Sequence, residues 1–142
     1  MSYLNTRQAL ITQFLATTVA GLAVADIASD NEFFDPANKS LWVMLTVIPA
    51  TSEAMGKGSA DTNEDRGIFQ VSVFIPVNTK DRSIISAAAV DEIRAGFQFN
   101  TSTVYNAQQV SIQNITANQP RVTDAWFQTD ISINYLTFSN RG

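Results

Sequence analysis

Apolar residues recur at two different spacings along this chain. From residue 5 to about residue 20 the spacing is helical. Leu10, Ile11, Phe14, Leu15, Thr18, Val19 and Leu22 fall on one stripe of a 3.6-residue period. Asn5 is placed to cap that helix, with Gln8 three residues on, and Gly21 to stop it. Residues 41–48 are apolar on both faces of a two-residue period, which predicts a strand covered on both sides, ended by Pro49. Residues 67–77 carry the clearest alternation: Phe69, Val71, Val73, Ile75 and Val77 interleave with Gln70, Ser72 and Phe74. These two strands are expected to pair as a hairpin around an irregular stretch at 50–66.

A second helix is predicted over residues 82–95. Asp81 is its expected cap, Gly96 its stop, and Ile85, Ala88, Ala89 and Ile93 its inner face. Val104 and then residues 109–115 give a short strand, and Asn118-Gln119-Pro120 a turn. The last strand spans 126–138, with Phe127, Thr129, Ile131, Ile133 and Tyr135 on one face and Gln128, Asp130, Ser132 and Asn134 on the other. The order α-β-β-α-β-β predicts an α+β fold, a mostly antiparallel sheet with two helices packed on one face.

Composition narrows the function. The chain has 142 residues, which predicts a single domain over 1–142 with one hydrophobic core. Charged residues make up only 15%, below the roughly 25% usual in soluble domains. Amides and hydroxyls take their place, which suits protein–protein contact because charges are costly to desolvate. The net charge of −4, with nine scattered basic residues, argues against nucleic-acid binding, which needs Lys and Arg to neutralise phosphates. There is no apolar run long enough to span a membrane and no secretory pattern at the N-terminus, so a cytoplasmic protein is expected.

Candidate chemistry is sparse. Without His or Cys the chain lacks the usual general base near neutral pH, thiol nucleophiles and thiolate metal sites. Met55-Gly56-Lys57-Gly58-Ser59 fails as a phosphate loop: Thr51 stands where the first glycine belongs and Gly58 where a magnesium-binding hydroxyl belongs. Asp61-Thr62-Asn63-Glu64-Asp65 fails as a calcium loop, with Arg66 at the sharp-turn position and Ser72 at the bidentate position. Asp91 and Glu92 point about 100° apart on a helix and share no site. No enzyme, cofactor or metal is expected. Most aromatics fall at core spacing, but Phe74 and Trp126 lie on the polar faces of their strands. Either a helix or loop covers them or they mark a protein interface.

The arrangement as a whole resembles the phage tail terminator family. The resemblance rests on the N-terminal amphipathic helix, the segment Asn31-Glu32-Phe33-Phe34-Asp35-Pro36, and the strand Leu41-Trp42-Val43-Met44-Leu45. It extends to a glycine-bearing loop, the strand Gly67-Ile68-Phe69-Gln70-Val71-Ser72-Val73, the helix Ala87-Ala88-Ala89-Val90-Asp91-Glu92-Ile93, and the final strand with Trp126 and Ile131-Ser132-Ile133-Asn134-Tyr135. It implies a structural virion protein, assembled in the host cytoplasm, whose homohexameric ring caps the tail tube, stops tube polymerisation and meets a neck or head-completion protein. DNA would cross its lumen without specific binding. The 51–66 loop is the expected tube or subunit contact, through Glu53, Met55, Lys57, Asp61, Glu64, Asp65 and Arg66, mobile until docked. Two other readings remain: a neck or head-completion ring protein, and a small cytoplasmic ligand-binding domain or enzyme with a convergent polar pocket.

Overall fold

A computed structural model describes residues 2–29, 34–37, 39–54, 62–98, 102–105, 108–123 and 125–140. The chain runs α1 (Ser2–Ala16), a short 3-10 turn (Val24–Asp26), β1 (Ile27–Ser29), β2 (Trp42–Ala54), β3 (Thr62–Pro76), α2 (Arg82–Gly96), β4 (Ser102–Tyr105), β5 (Gln108–Ala117), β6 (Arg121–Thr123) and β7 (Trp126–Asn140). The strands form one seven-stranded sheet in the order β1-β2-β3-β7-β5-β4, with β6 beside β7. The expected hairpin is present as β2 and β3, and the expected four-stranded, mostly antiparallel sheet is corrected to a larger, mixed one. Every pairing is antiparallel except that of β1 with β2. β1 escaped the sequence pattern because three residues, Ile27-Ala28-Ser29, are too few to show an alternation.

The core lies between one face of the sheet and both helices. Val43, Leu45 and Val47 of β2, Phe69, Val71, Val73 and Ile75 of β3, and Ile131, Ile133 and Tyr135 of β7 form one cluster with Ala9, Leu10 and Phe14 of α1 and Ala89 and Ile93 of α2. Each fully buried large side chain contributes about 1.5–3 kcal/mol relative to its exposed state. The face assigned to β7 from its alternation is the buried one, with Thr129 through Tyr135 at alternate positions inside.

The helices differ in detail from expectation. α1 begins at Ser2, ahead of Asn5, and ends at Ala16. Thr17, Thr18 and Val19 are β-branched and disfavour helix, and the Thr17 hydroxyl donates to the Gln13 carbonyl at 2.9 Å. Leu15, on the outer side of the helix, and Thr18 beyond its end are exposed; Thr6, Ala9, Leu10 and Phe14 make the inner stripe, and Val19 is buried past it. In α2 the inner face is Ser86, Ala89 and Ile93, so Ile85 and Ala88 turn outward. Ser86 Oγ and Thr129 Oγ1 share a hydrogen bond at 2.6 Å, which satisfies both hydroxyls inside the core. Gly96 lies within α2, where a Cβ would come 2.9 Å from Thr17 Cγ2. The helix ends at this glycine, as expected, and the missing side chain also admits Thr17, just past the end of α1.

Asp81 stands at the N-cap position, but its backbone is left-handed (φ 60°) and its side chain makes no capping bond. Its carbonyl instead accepts from the N–H groups of Ile84 and Ile85, each at 3.0 Å. A left-handed L-residue costs roughly 1–2 kcal/mol that glycine avoids. Asp81→Gly should therefore keep or raise the urea midpoint, whereas Asp81→Val should lower it. A midpoint lowered by Asp81→Gly would show that the Asp81 carboxylate does contribute to the cap.

Pro49 does not end β2. The register shifts between Pro49 and Thr51, and β2 continues to Ala54. A residue without an N–H is tolerated at such an irregularity.

Candidate functional site

Three features lie away from the helix-covered core. The first is an arm. Thr51, Ser52, Glu53 and Ala54 of β2 pair with Arg66, Asp65, Glu64 and Asn63 of β3, and β3 pairs onward with β7 as far as Thr62 with Asn140. Within the stretch expected to be irregular at 50–66, the described residues 50–54 and 62–66 are thus strand. Its polar residues hid this, because ladder hydrogen bonds to neighbours on both sides hold β3 there, not an apolar alternation. The structure places Glu53 opposite Glu64 in register. Arg66 Nε donates to Glu64 Oε1 at 2.7 Å, on one face of the strand. Asp65 lies opposite Thr137. Met55, Lys57 and Asp61 lie outside the described residues.

The second feature is an aromatic stack on the sheet face away from the helices. Trp42 and Phe74 are register partners, and their rings stack with centroids 4.1 Å apart. Phe34 stacks on Trp42 at 4.9 Å, and Trp126 meets its edge at 5.7 Å. Phe74 and Trp126 therefore converge on Trp42 within the chain, and each remains half-buried. Trp42 is only 6% exposed, and its indole N–H has no partner among the described residues. The sequence signal for this convergence was that all three rings fall on positions between the core-facing residues of their strands.

The third feature is a charged network on the same face. Asp130 is buried on β7. Its Oδ1 accepts from Ser72 Oγ at 2.7 Å and from Gln128 Nε2 at 2.9 Å, and its Oδ2 accepts from Arg121 Nη1 at 2.7 Å. Gln70 Nε2 donates to Ser72 Oγ at 3.2 Å. The network joins β3, β7 and β6. It penalises a one-residue register slip, which would turn the carboxylate to the apolar side. Sequence reasoning assigned Asp130 and Gln128 to one polar face but missed the partners Ser72 and Arg121, which lie on strands brought together only by folding.

Burial alone would push the Asp130 carboxyl up. The hydrogen bonds from Arg121, Gln128 and Ser72 outweigh it and hold the group below its ordinary value of 3.8. A carboxyl depressed by folding stabilises the native state above its unfolded pKa, and that stability is lost as pH falls through the folded value. Acidification from pH 6 to pH 3 should therefore lower the melting temperature of the native chain more than that of Asp130→Asn. An equal loss in both would remove Asp130 from the account of acid stability.

Among the described residues no group of three potential metal ligands comes together, and no helix is long and apolar enough to cross a membrane. A shallow cleft between α2 and β5 is lined by Asp91, Arg94, Ala95, Gln98 and Ile115. Its charged residues are exposed, so their charges stay solvated. Such a lining does not make the convergent polar pocket that a ligand-binding or catalytic reading calls for.

No curated protein matches the chain. Among solved structures, one chain superposes with a TM-score of 0.66 at 24% identity, covering 92% of this chain and 94% of that one. Another, from a structure described as the virion of a native gene transfer agent particle, has a TM-score of 0.54 at 16% identity, with 98% and 99% covered. At these identities the likeness shows a shared fold. The sequence itself matches the family described as phage tail terminator protein over residues 5–135, from within α1 to within β7. This chain belongs to the phage tail terminator protein family.

Proposed function

We propose that the chain is a structural virion protein, not an enzyme, that assembles as a hexameric ring, caps the tail tube, ends tube polymerisation and joins the tail to the head-side neck. The observation that carries this reading is the family match over residues 5–135. The single domain supplies one subunit, and six copies in head-to-tail contact close a ring without leaving a free end. Assembly takes place in the host cytoplasm. Partners are the tail tube protein on one side and a neck or head-completion protein on the other. The net charge of −4 suits a lumen that DNA crosses without adhering.

The arm of β2 and β3 makes the tube contact in this reading. It extends from the sheet as paired backbone, and its sequence from Glu53 to Arg66 includes charges of both signs. Phe74 and Trp126, half-exposed at the opposite end of β3 and β7, meet a neighbouring protein in this reading. The arm is tested by replacing residues 55–62 with Asn-Gly, which joins the paired residues Ala54 and Asn63 by a tight two-residue turn. The variant should keep its fold by circular dichroism and lose capping of tail tubes. Undiminished capping would remove the arm from the contact.

A further inference from the structure

The ends of the sheet carry an observation that the ring reading does not use. β4 closes the sheet on one side and β1 on the other. β4 pairs only with the first part of β5, from Gln108 to Ser111. From Ile112 to Ala117, β5 pairs with β7 on one side, and no described strand lies on its other side. The strand sequences Ser-Thr-Val-Tyr of β4, Gln-Gln-Val-Ser-Ile-Gln-Asn-Ile-Thr-Ala of β5 and Ile-Ala-Ser of β1 contain no charge and no proline. Val104 is 57% exposed and Tyr105 38% exposed on the same margin.

Sheet margins are unpaired rows of N–H and C=O groups that recruit other strands. Soluble proteins guard them with lysine, proline, bulges or covering loops. Among the described residues, brevity and the shift between Ile112 and Asn114 are the guards present. Both margins are of this kind, and they lie at opposite ends of the strand order. A foreign strand would cover one and leave the other bare. A second copy covers both by repeating a single contact, the heterologous arrangement that a ring needs.

We infer that the β4–β5 margin of one copy, centred on Val104 and Tyr105, pairs with β1 of the next copy. The contact continues the sheet from subunit to subunit, and it rests on the ring reading proposed above. Tyr105 lies two positions from buried Thr103 and so on the helix side of the sheet; Ile27 and Ser29 are in register with core-facing Val43 and Leu45 and share that side. Adjacent strands bring facing Cα atoms within about 4.5–5.5 Å, inside the span of a disulfide.

The chain has no cysteine, so engineered pairs report this contact alone. The test oxidises Tyr105→Cys combined with Ile27→Cys or with Ser29→Cys, beside single-cysteine controls. It also weighs Val104→Lys/Thr116→Lys by light scattering, with Ile84→Lys on exposed α2 as control. The expected result is a covalent ladder reaching six chains for one of the pairs and no more than dimers for the single variants. The lysine double variant should fall about six-fold to the mass of one chain with an unchanged circular dichroism spectrum, and Ile84→Lys should keep the native mass. A native ring with no ladder, and with ring mass kept in the lysine variant, overturns the edge contact and leaves the ring intact. A native chain that stays single in solution and on tubes overturns the ring reading and the contact together.

Discussion

Phe69→Ala should cost about 4 kcal/mol of folding stability, within the usual range for truncating a fully buried aromatic. Phe69 is fully buried at the middle of β3. It stands in register between Val47 of β2 and Ile133 of β7, and both neighbours belong to the core. Its ring lies 5.7 Å from that of Phe97, the residue that follows α2. The substitution therefore empties the place where the central strands meet the end of the helix. Three tightly paired strands cannot close in to refill it. Urea denaturation measures the effect. A loss under about 1 kcal/mol would mean that this face of the sheet is not the core.

Gly67→Ala should cost about 3 kcal/mol, near the upper end for overpacking a filled site. Gly67 lies opposite Tyr135 on β7, and the tyrosine ring crosses the space where a side chain would be. A Cβ there would sit 2.6 Å from Tyr135 Cζ and 2.6 Å from the Ile48 carbonyl, and closer still to the tyrosine hydroxyl. The ring is buried and the carbonyl belongs to paired backbone, so neither moves cheaply. Adding Tyr135→Phe should recover only part of the loss, because the carbonyl of Ile48 stays in place. Full recovery would assign the whole clash to the hydroxyl. An unchanged midpoint for Gly67→Ala alone would contradict the packing described.

The central part of this fold was legible because it is long and regular. The alternations at Phe69 to Ile75 and at Thr129 to Tyr135 span enough residues to fix which side faces the core. The short pieces were not legible. β1 and β6 have three residues each, and pairing defines them rather than pattern. The arm was read as loop because Thr, Ser, Glu and Asp carry no periodic apolar signal, although ladders on both sides hold β3 there. Asp81 satisfied the residue preference for a cap while its left-handed backbone turned the side chain to no such use.

The candidate surfaces divide in the same way. Phe74 and Trp126 stood out because large aromatics on a polar face are unusual. Their common partner Trp42 did not, because its strand was apolar on both faces. The longest-range hydrogen bond of the Asp130 network, Ser72 to Asp130, joins residues 58 positions apart, a relation that no local window reveals. The margins of the sheet became visible only with the strand order, which follows from tertiary pairing rather than from propensity.

The most direct test of the tail-terminator assignment is elongation of tail tubes in the presence of this chain. Tube protein is polymerised with and without it, and the products are imaged and weighed. The account predicts that growth stops at short, uniform lengths and that each capped end carries one six-chain ring. Tubes that lengthen unchanged, with the chain left in solution, would contradict it.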